Sequence, residues 1–191
     1  MSEKFYRVTE IISPYTGIEF VNKSILENAC IRGTRVHDAI EQLLKGYRES
    51  LDDLDELYVR SFENFWFNNP IVAGNVPYEL EKRFYCKELM ITGQMDCIIT
   101  LPGKTIVMDW KTSARESISW RLQSAAYRYL LEVNGYENVE NVQFIKLHRQ
   151  GREAIKYQYD DYSTSLEIFK DCIKLYKFFK MDKTRKNENH N

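Results

Sequence analysis

Two short clusters, Gly93-Gln94-Met95-Asp96 and Asp109-Trp110-Lys111, put two carboxylates and an ammonium group within the span of one β-hairpin. The first lies in an apolar, β-branched run over 89–100 and the second ends a similar run over 104–111, with Leu101-Pro102-Gly103 supplying the turn. Strand alternation points Asp109 and Lys111 to one face and Trp110 to the other. Asp96 falls on the neighbouring strand near the same edge. Two acids and a lysine then share a surface otherwise built of core residues. Carboxylates ~4 Å apart repel by roughly 4 kcal/mol at an effective dielectric near 20, and a divalent cation is the simplest group that offsets this. Asp96, Asp109 and the Trp110 carbonyl would hold it, since magnesium takes hard oxygen ligands. Such an ion would polarise a phosphate and acidify a water. Lys111 would orient that water or stabilise charge developing on the phosphate. The plainer alternative leaves Asp109 and Lys111 exposed at a strand end.

His37 lies on a helix with Gly33 and Glu41 one turn to either side. Gly33 leaves room for a backbone or ligand, and Glu41 could orient the imidazole. The alternative for His37 is a hydrogen-bonded core residue. Gln123 and Tyr127, one turn apart, are expected beside the core stripe of a later helix, at the rim of the site. Glu79 and Glu81 alternate onto one face of the strand before the hairpin, and either could join the metal shell. Lys170, Lys174 and Lys177 make a stripe on the last helix that could follow a DNA backbone, although Leu166, Phe169, Ile173 and Tyr176 already explain that helix as a core element.

The elements that must position these residues follow from periodicity. Val36, Ile40, Leu43, Leu44 and Tyr47 form the buried stripe of a helix over 24–47. A second helix follows Asp52-Asp53, which cap it, and stops at Asn68-Asn69-Pro70. A strand over 78–86 precedes the hairpin. A helix over 117–133 ends at Asn134-Gly135. Two strands over 142–148 and 154–159 follow, and then a helix over 163–180. This order predicts an α/β fold, a mixed β-sheet with helices on both faces. Residues 1–181 are expected to form a single domain and the polar 182–191 a mobile tail.

Composition narrows the class. The 191 residues are 43% hydrophobic and carry a net charge of −1, so a packed domain is expected and no polyanion binder is advertised by total charge. The first hundred residues carry −5 and the remainder +4, which puts the more favourable polyanion surface in the second half. No membrane span or signal segment is read, and a cytoplasmic location is expected. Cys30, Cys86, Cys97 and Cys172 form no Cys-x-x-Cys pattern, so reduced thiols are expected.

Taken together, the run from Arg32 to Glu41, Glu79-Leu80-Glu81, Gly93-Gln94-Met95-Asp96, Asp109-Trp110-Lys111-Thr112-Ser113 and Gln123-Ser124-Ala125-Ala126-Tyr127 resembles the ordered motifs of the PD-(D/E)XK nucleases. The likeness is to the RecB-type branch and its stand-alone phage and bacterial exonuclease relatives, and covers about residues 5–148. It implies a restriction-endonuclease-like core and Mg²⁺- or Mn²⁺-dependent hydrolysis of phosphodiesters. By that analogy His37, Asp96, Asp109 and the Trp110 carbonyl bind metal, Glu81 joins them less securely because Glu79 competes for its slot, Lys111 is the catalytic lysine, and Gln123 and Tyr127 complete the catalytic set. Met95 stands where other branches carry proline. The clustered cysteines of iron–sulfur relatives are missing, so no cluster is expected. The implied partner is DNA, with a helicase or a single-strand annealing or binding protein for unwinding, in recombination, repair or replication in a bacterial or phage-infected cell. The alternatives are a structure-selective endonuclease such as a junction resolvase, or a non-catalytic DNA-binding or assembly module on the same fold.

Overall fold

The computed structural model describes residues 4–16, 21–48, 50–73 and 76–188. The chain runs β1 (Tyr6–Arg7), α1 (Val8–Ile12), a 3-10 turn (Ser13–Tyr15), α2 (Lys23–Leu44), α3 (Asp53–Phe67), α4 (Pro70–Ala73), β2 (Tyr78–Cys86), β3 (Ile91–Leu101), β4 (Lys104–Lys111), α5 (Ser119–Val133), β5 (Gln143–Lys146), β6 (Ile155–Tyr157) and α6 (Tyr162–Glu188). Local chemistry accounts for the boundaries. Asn22 caps α2 through Ser24 N, and Asp52 caps α3 through Asp55 N at 2.9 Å. Gly135, at φ +89°, ends α5, with Tyr136 N donating back to Leu131 O. Gly103, at φ +80°, makes the hairpin turn after Pro102.

Among the described residues six strands form one mixed sheet in the order β1-β3-β4-β5-β6, with β2 on the other side of β3. β3 pairs antiparallel with β2 and β4, and parallel with β1; β4 and β5 are parallel. Val107 and Phe144 face one side of the sheet, against α1, α5 and α6. Ile106, Met108, Trp110 and Ile145 face the other, against α2 and α3, where Trp110 meets Phe62 and Trp66 edge-on. The expected layering is therefore present. No described helix is long and apolar enough to cross a membrane.

Two expectations need correction. α6 continues to Glu188 rather than ending at Lys180, so much of the stretch expected as a tail is helical; residues 189–191 lie outside those described. Gly33 is not a point of close approach, because a Cβ there would meet only Thr112 Oγ1 at an ordinary 3.5 Å. The glycine that packing demands is Gly93, whose Cβ would lie 2.8 Å from Leu130 Cδ1 and 2.9 Å from Tyr127 Cε1.

Candidate active site

The ladder between β3 and β4 stops at Cys97↔Met108, one step before Asp96 and Asp109. There the strands part. The Asp96 carboxylate takes over as acceptor, receiving Trp110 N at 2.7 Å. On the other side of β3 the pairing with β2 is interrupted at the same level: Leu80↔Cys97 and Lys82↔Met95 pair, while Glu81 between them stands at φ +49°. A left-handed glutamate is backbone strain of the kind that collects at functional sites. The alternation of β3 slips here too. Ile91 and Met95 pack toward α5, and so does Ile98, whereas Cys97 and Ile99 pack toward α3.

This break gathers the predicted residues. His37 Nδ1, from α2, lies 3.3 Å from Asp96 Oδ2. Ligand atoms of His37, Glu81 and Asp96 all lie within 4.8 Å of one another. Lys111 Nζ sits 2.5 Å from Asp109 Oδ2 and donates to Gln123 Oε1 at 3.1 Å, while Gln123 Nε2 donates to Asp109 Oδ1 at 3.0 Å. The Lys111–Asp109 contact is an ion pair without hydrogen-bond alignment, so the buried Oδ2 has no aligned donor among the described residues. Lys111 O accepts from Leu147 N on the β5 side, whereas Trp110 N turns to Asp96. The alternation of a strand's backbone then aims the Trp110 carbonyl toward Asp96 as well.

Gln123 and Tyr127 are 3% and 4% exposed, so both lie inside the core rather than on a rim beside it. Glu79 is tied to Lys82 and to the Tyr136 hydroxyl, which removes it from competition with Glu81. Gln94 was not singled out by sequence, yet it donates to Glu81 Oε2 at 2.6 Å and accepts from Arg83. Its place inside the Gly93–Asp96 cluster was the available signal. Glu41 pairs with Lys45 at 2.7 Å. Of the α6 lysines, Lys174 pairs with Asp171, Lys177 donates to Leu89 O and Lys170 lies over the Tyr129 ring, so that stripe is committed within the chain.

The electrostatics reflect crowding of acids. Burial pushes Asp109 up to about 6, with Lys111 opposing and Asp96 reinforcing. Burial and the nearby Asp96 charge raise Glu81 to about 7. Burial alone would depress His37, but the Asp96 and Asp109 carboxylates outweigh it and push the imidazole up to about 9. Burial, then Asp109 and Asp96, hold the Tyr127 phenol well above its ordinary value, so it stays protonated. The carboxylates of Glu81 and Asp96 with the His37 imidazole form a donor set that fits a hard divalent cation, with Asp109 and the Trp110 carbonyl beside it.

Three comparisons bear on this geometry. A family model described as the PD-(D/E)XK nuclease superfamily matches residues 66–185, which include Glu81, Asp96, Asp109, Lys111, Gln123 and Tyr127 but not His37. Human mitochondrial genome maintenance exonuclease 1 is 32% identical over 95 residues, 49% of this chain; the match spans 27% of that protein's length. The crystal structure of a candidate exonuclease from Eubacterium rectale shares the fold, with a TM-score of 0.59 over 88% of this chain and 78% of that one at 11% identity. The mixed sheet with flanking helices is thus a restriction-endonuclease-like core, and the family match extends over more than half of the chain. The strand break that gathers its acids and lysine therefore sits in a known nuclease framework, and the chain belongs to the PD-(D/E)XK nuclease superfamily.

Proposed function

We propose that this chain is a Mg²⁺- or Mn²⁺-dependent deoxyribonuclease acting as an exonuclease, carried by one domain over 1–181, in recombination, repair or replication of DNA. The observation that carries the reading is the meeting of His37, Glu81 and Asp96 beside the Asp109–Lys111–Gln123 network. His37, Glu81, Asp96, Asp109 and the Trp110 carbonyl would hold the ion. A bound divalent cation supplies Lewis-acid polarisation of the scissile phosphate and a more acidic water. Lys111, held between Asp109 and Gln123, keeps its ammonium aimed at that phosphate, where it orients the attacking water and offsets charge as the P–O bond breaks. Gln123 holds both partners in register. Tyr127 stays protonated and walls the site from the core.

Purified protein should degrade linear labelled DNA with Mg²⁺ or Mn²⁺, leave a covalently closed circle intact, and do nothing in EDTA. Lys111→Ala should lose activity by about a hundredfold or more. Cleavage that survives EDTA, or that persists in Lys111→Ala, contradicts the reading; cutting of closed circles moves it to an endonuclease.

Metal affinity should also depend on pH with a fixed sign. Ligands bind in their deprotonated forms, so metal entry releases protons from Asp109, Glu81 and His37. With these groups titrating at about 6, 7 and 9, apparent Mn²⁺ affinity should rise as pH goes from about 6 to 8, with protons released on binding. Calorimetry in two buffers of different ionisation enthalpy measures both. A flat or falling affinity would remove these groups from the shell.

A further inference from the structure

We propose that a pocket beside the ends of β4 and β5 holds a second, non-scissile phosphate of the nucleic-acid strand, an inference that rests on the nuclease reading above. The pocket has a volume of about 170 Å³, and Tyr58, Ser113, Lys146, His148 and Arg149 contribute to its wall. No carboxylate lines it. It adjoins the catalytic strand end directly. Lys146 is the register partner of Lys111 across the parallel β4–β5 pair, and Leu147 N donates to Lys111 O at 2.8 Å.

Like charges on adjacent strands destabilise a sheet. Lys111 is balanced by Asp109, whereas among the described residues Lys146, Arg149 and Arg115 form no ion pair within 4 Å. Several other cations are paired, Arg35 with Asp52 and Asp55, Arg48 with Glu56 and Glu63, Arg121 with Asp161 and Arg128 with Glu132. At this pocket Lys146 and Arg149 stand together beside the site with no carboxylate in the wall.

The loop that carries these donors is built to hold them. His148 N donates to Ser61 Oγ at 2.8 Å, Gly151 N closes the turn onto His148 O, and Asn64 Nδ2 donates to Gly151 O at 3.0 Å, so α3 pins the turn. Gln150 N donates to His148 Nδ1 at 3.2 Å, which leaves the ring proton on Nε2. The imidazole is therefore a hydrogen-bond donor even when neutral. A wall of lysine, arginine and imidazole N–H groups recognises a phosphate, and a strand seated on Lys111 would carry its next phosphates across this edge.

Fluorescence anisotropy in EDTA tests the pocket without cleavage. The double variant Lys146→Ala/Arg149→Ala should bind a single-stranded oligonucleotide about tenfold more weakly near 0.1 M salt, and its plot of log affinity against log salt should flatten by about 0.7 for the one phosphate lost. Lys104→Ala, at the opposite end of β4, should keep the wild-type slope. Lys146→Gln/Arg149→Gln, which retains the aliphatic stems, carries the test if the alanine variant fails to fold by circular dichroism. Comparing 5′-phosphorylated, 5′-hydroxyl and circular strands identifies the phosphate: a deficit confined to the phosphorylated end assigns a terminal group, and one shared by the circle assigns an internal diester. An unchanged slope in the folded double variant, or equal flattening in Lys104→Ala, overturns the proposal. A wild type that cuts DNA while the double variant keeps the slope sinks the pocket alone; a wild type that cuts nothing with any divalent metal sinks the nuclease reading instead.

Discussion

Asp109→Asn is expected to lower DNA cleavage by about a thousandfold while raising the melting temperature of the metal-free protein by a few degrees. The two effects share one cause. Asp109 is 2% exposed, lies near Asp96, and has an oxygen with no aligned donor. Its proton is bound more tightly in the folded chain than in the unfolded one, since its pKa rises from 3.8 to about 6. Ionisation therefore destabilises the metal-free fold progressively as pH rises from about 4 to 6, and at neutral pH the whole penalty is present. Asparagine keeps the shape and the contact with Gln123 but carries no charge. It removes that penalty and, on the proposed reading, also removes a hard ligand and the ion-pair partner of Lys111, a loss typical of electrostatic groups at a reacting centre. Differential scanning calorimetry in EDTA, paired with single-turnover cleavage, reads both effects. A variant keeping more than about a tenth of wild-type activity would take Asp109 out of the chemistry. A variant melting several degrees lower would contradict the assignment of the buried charge as a stability cost.

Gly93→Ala is expected to be the most disruptive one-methyl change in the sheet. Its Cβ would enter below 3.0 Å of both Leu130 Cδ1 and the Tyr127 ring. Leu130 is fully buried and Tyr127 is 4% exposed, so neither can swing into open space. Overpacking of this kind costs roughly 1–3 kcal/mol, which lowers the melting temperature of a domain this size by roughly 2–12 °C. The strain falls on α5 one turn from Gln123, so activity should fall further than stability accounts for. Gly33→Ala, by contrast, should melt a few degrees above wild type, because its Cβ would rest at an ordinary 3.5 Å from Thr112 Oγ1 and alanine is the better helix former inside α2 by roughly 0.5–1 kcal/mol. Parallel thermal melts and cleavage rates for the two variants decide the point. Equal behaviour of the pair would contradict the packing account.

The hairpin, and with it Asp96, Asp109 and Lys111, was legible in the sequence because strand alternation is local and the apolar runs bracket the turn closely. The helices were legible for the same kind of reason: Asp52 and Gly135 act on their own backbone neighbours, and Val36 and Ile40 mark the buried stripe of α2. Long-range geometry was less so. Nothing local says that Glu81 adopts a left-handed φ opposite Asp96, because that conformation is imposed where two ladders fail together. The same break is what separates Glu81 from Glu79. Gly33 drew attention by standing one turn from His37, yet Gly93 is the glycine under steric demand, and only the approach of α5 reveals it. Gln94 was passed over because amides have no charge to advertise, and its role depends on Glu81 and Arg83 from the adjacent strand. α6 overran its expected end because its polar last turns lack the apolar spacing that marks a packed helix.

Anomalous diffraction from a crystal soaked in Mn²⁺ tests the central claim most directly. A single strong peak within coordination distance of Asp96 and Asp109, with Glu81 or His37 beside it, is the predicted result. Density lying away from the break between β3 and β4, or no density at a Mn²⁺ concentration that supports cleavage, would contradict it.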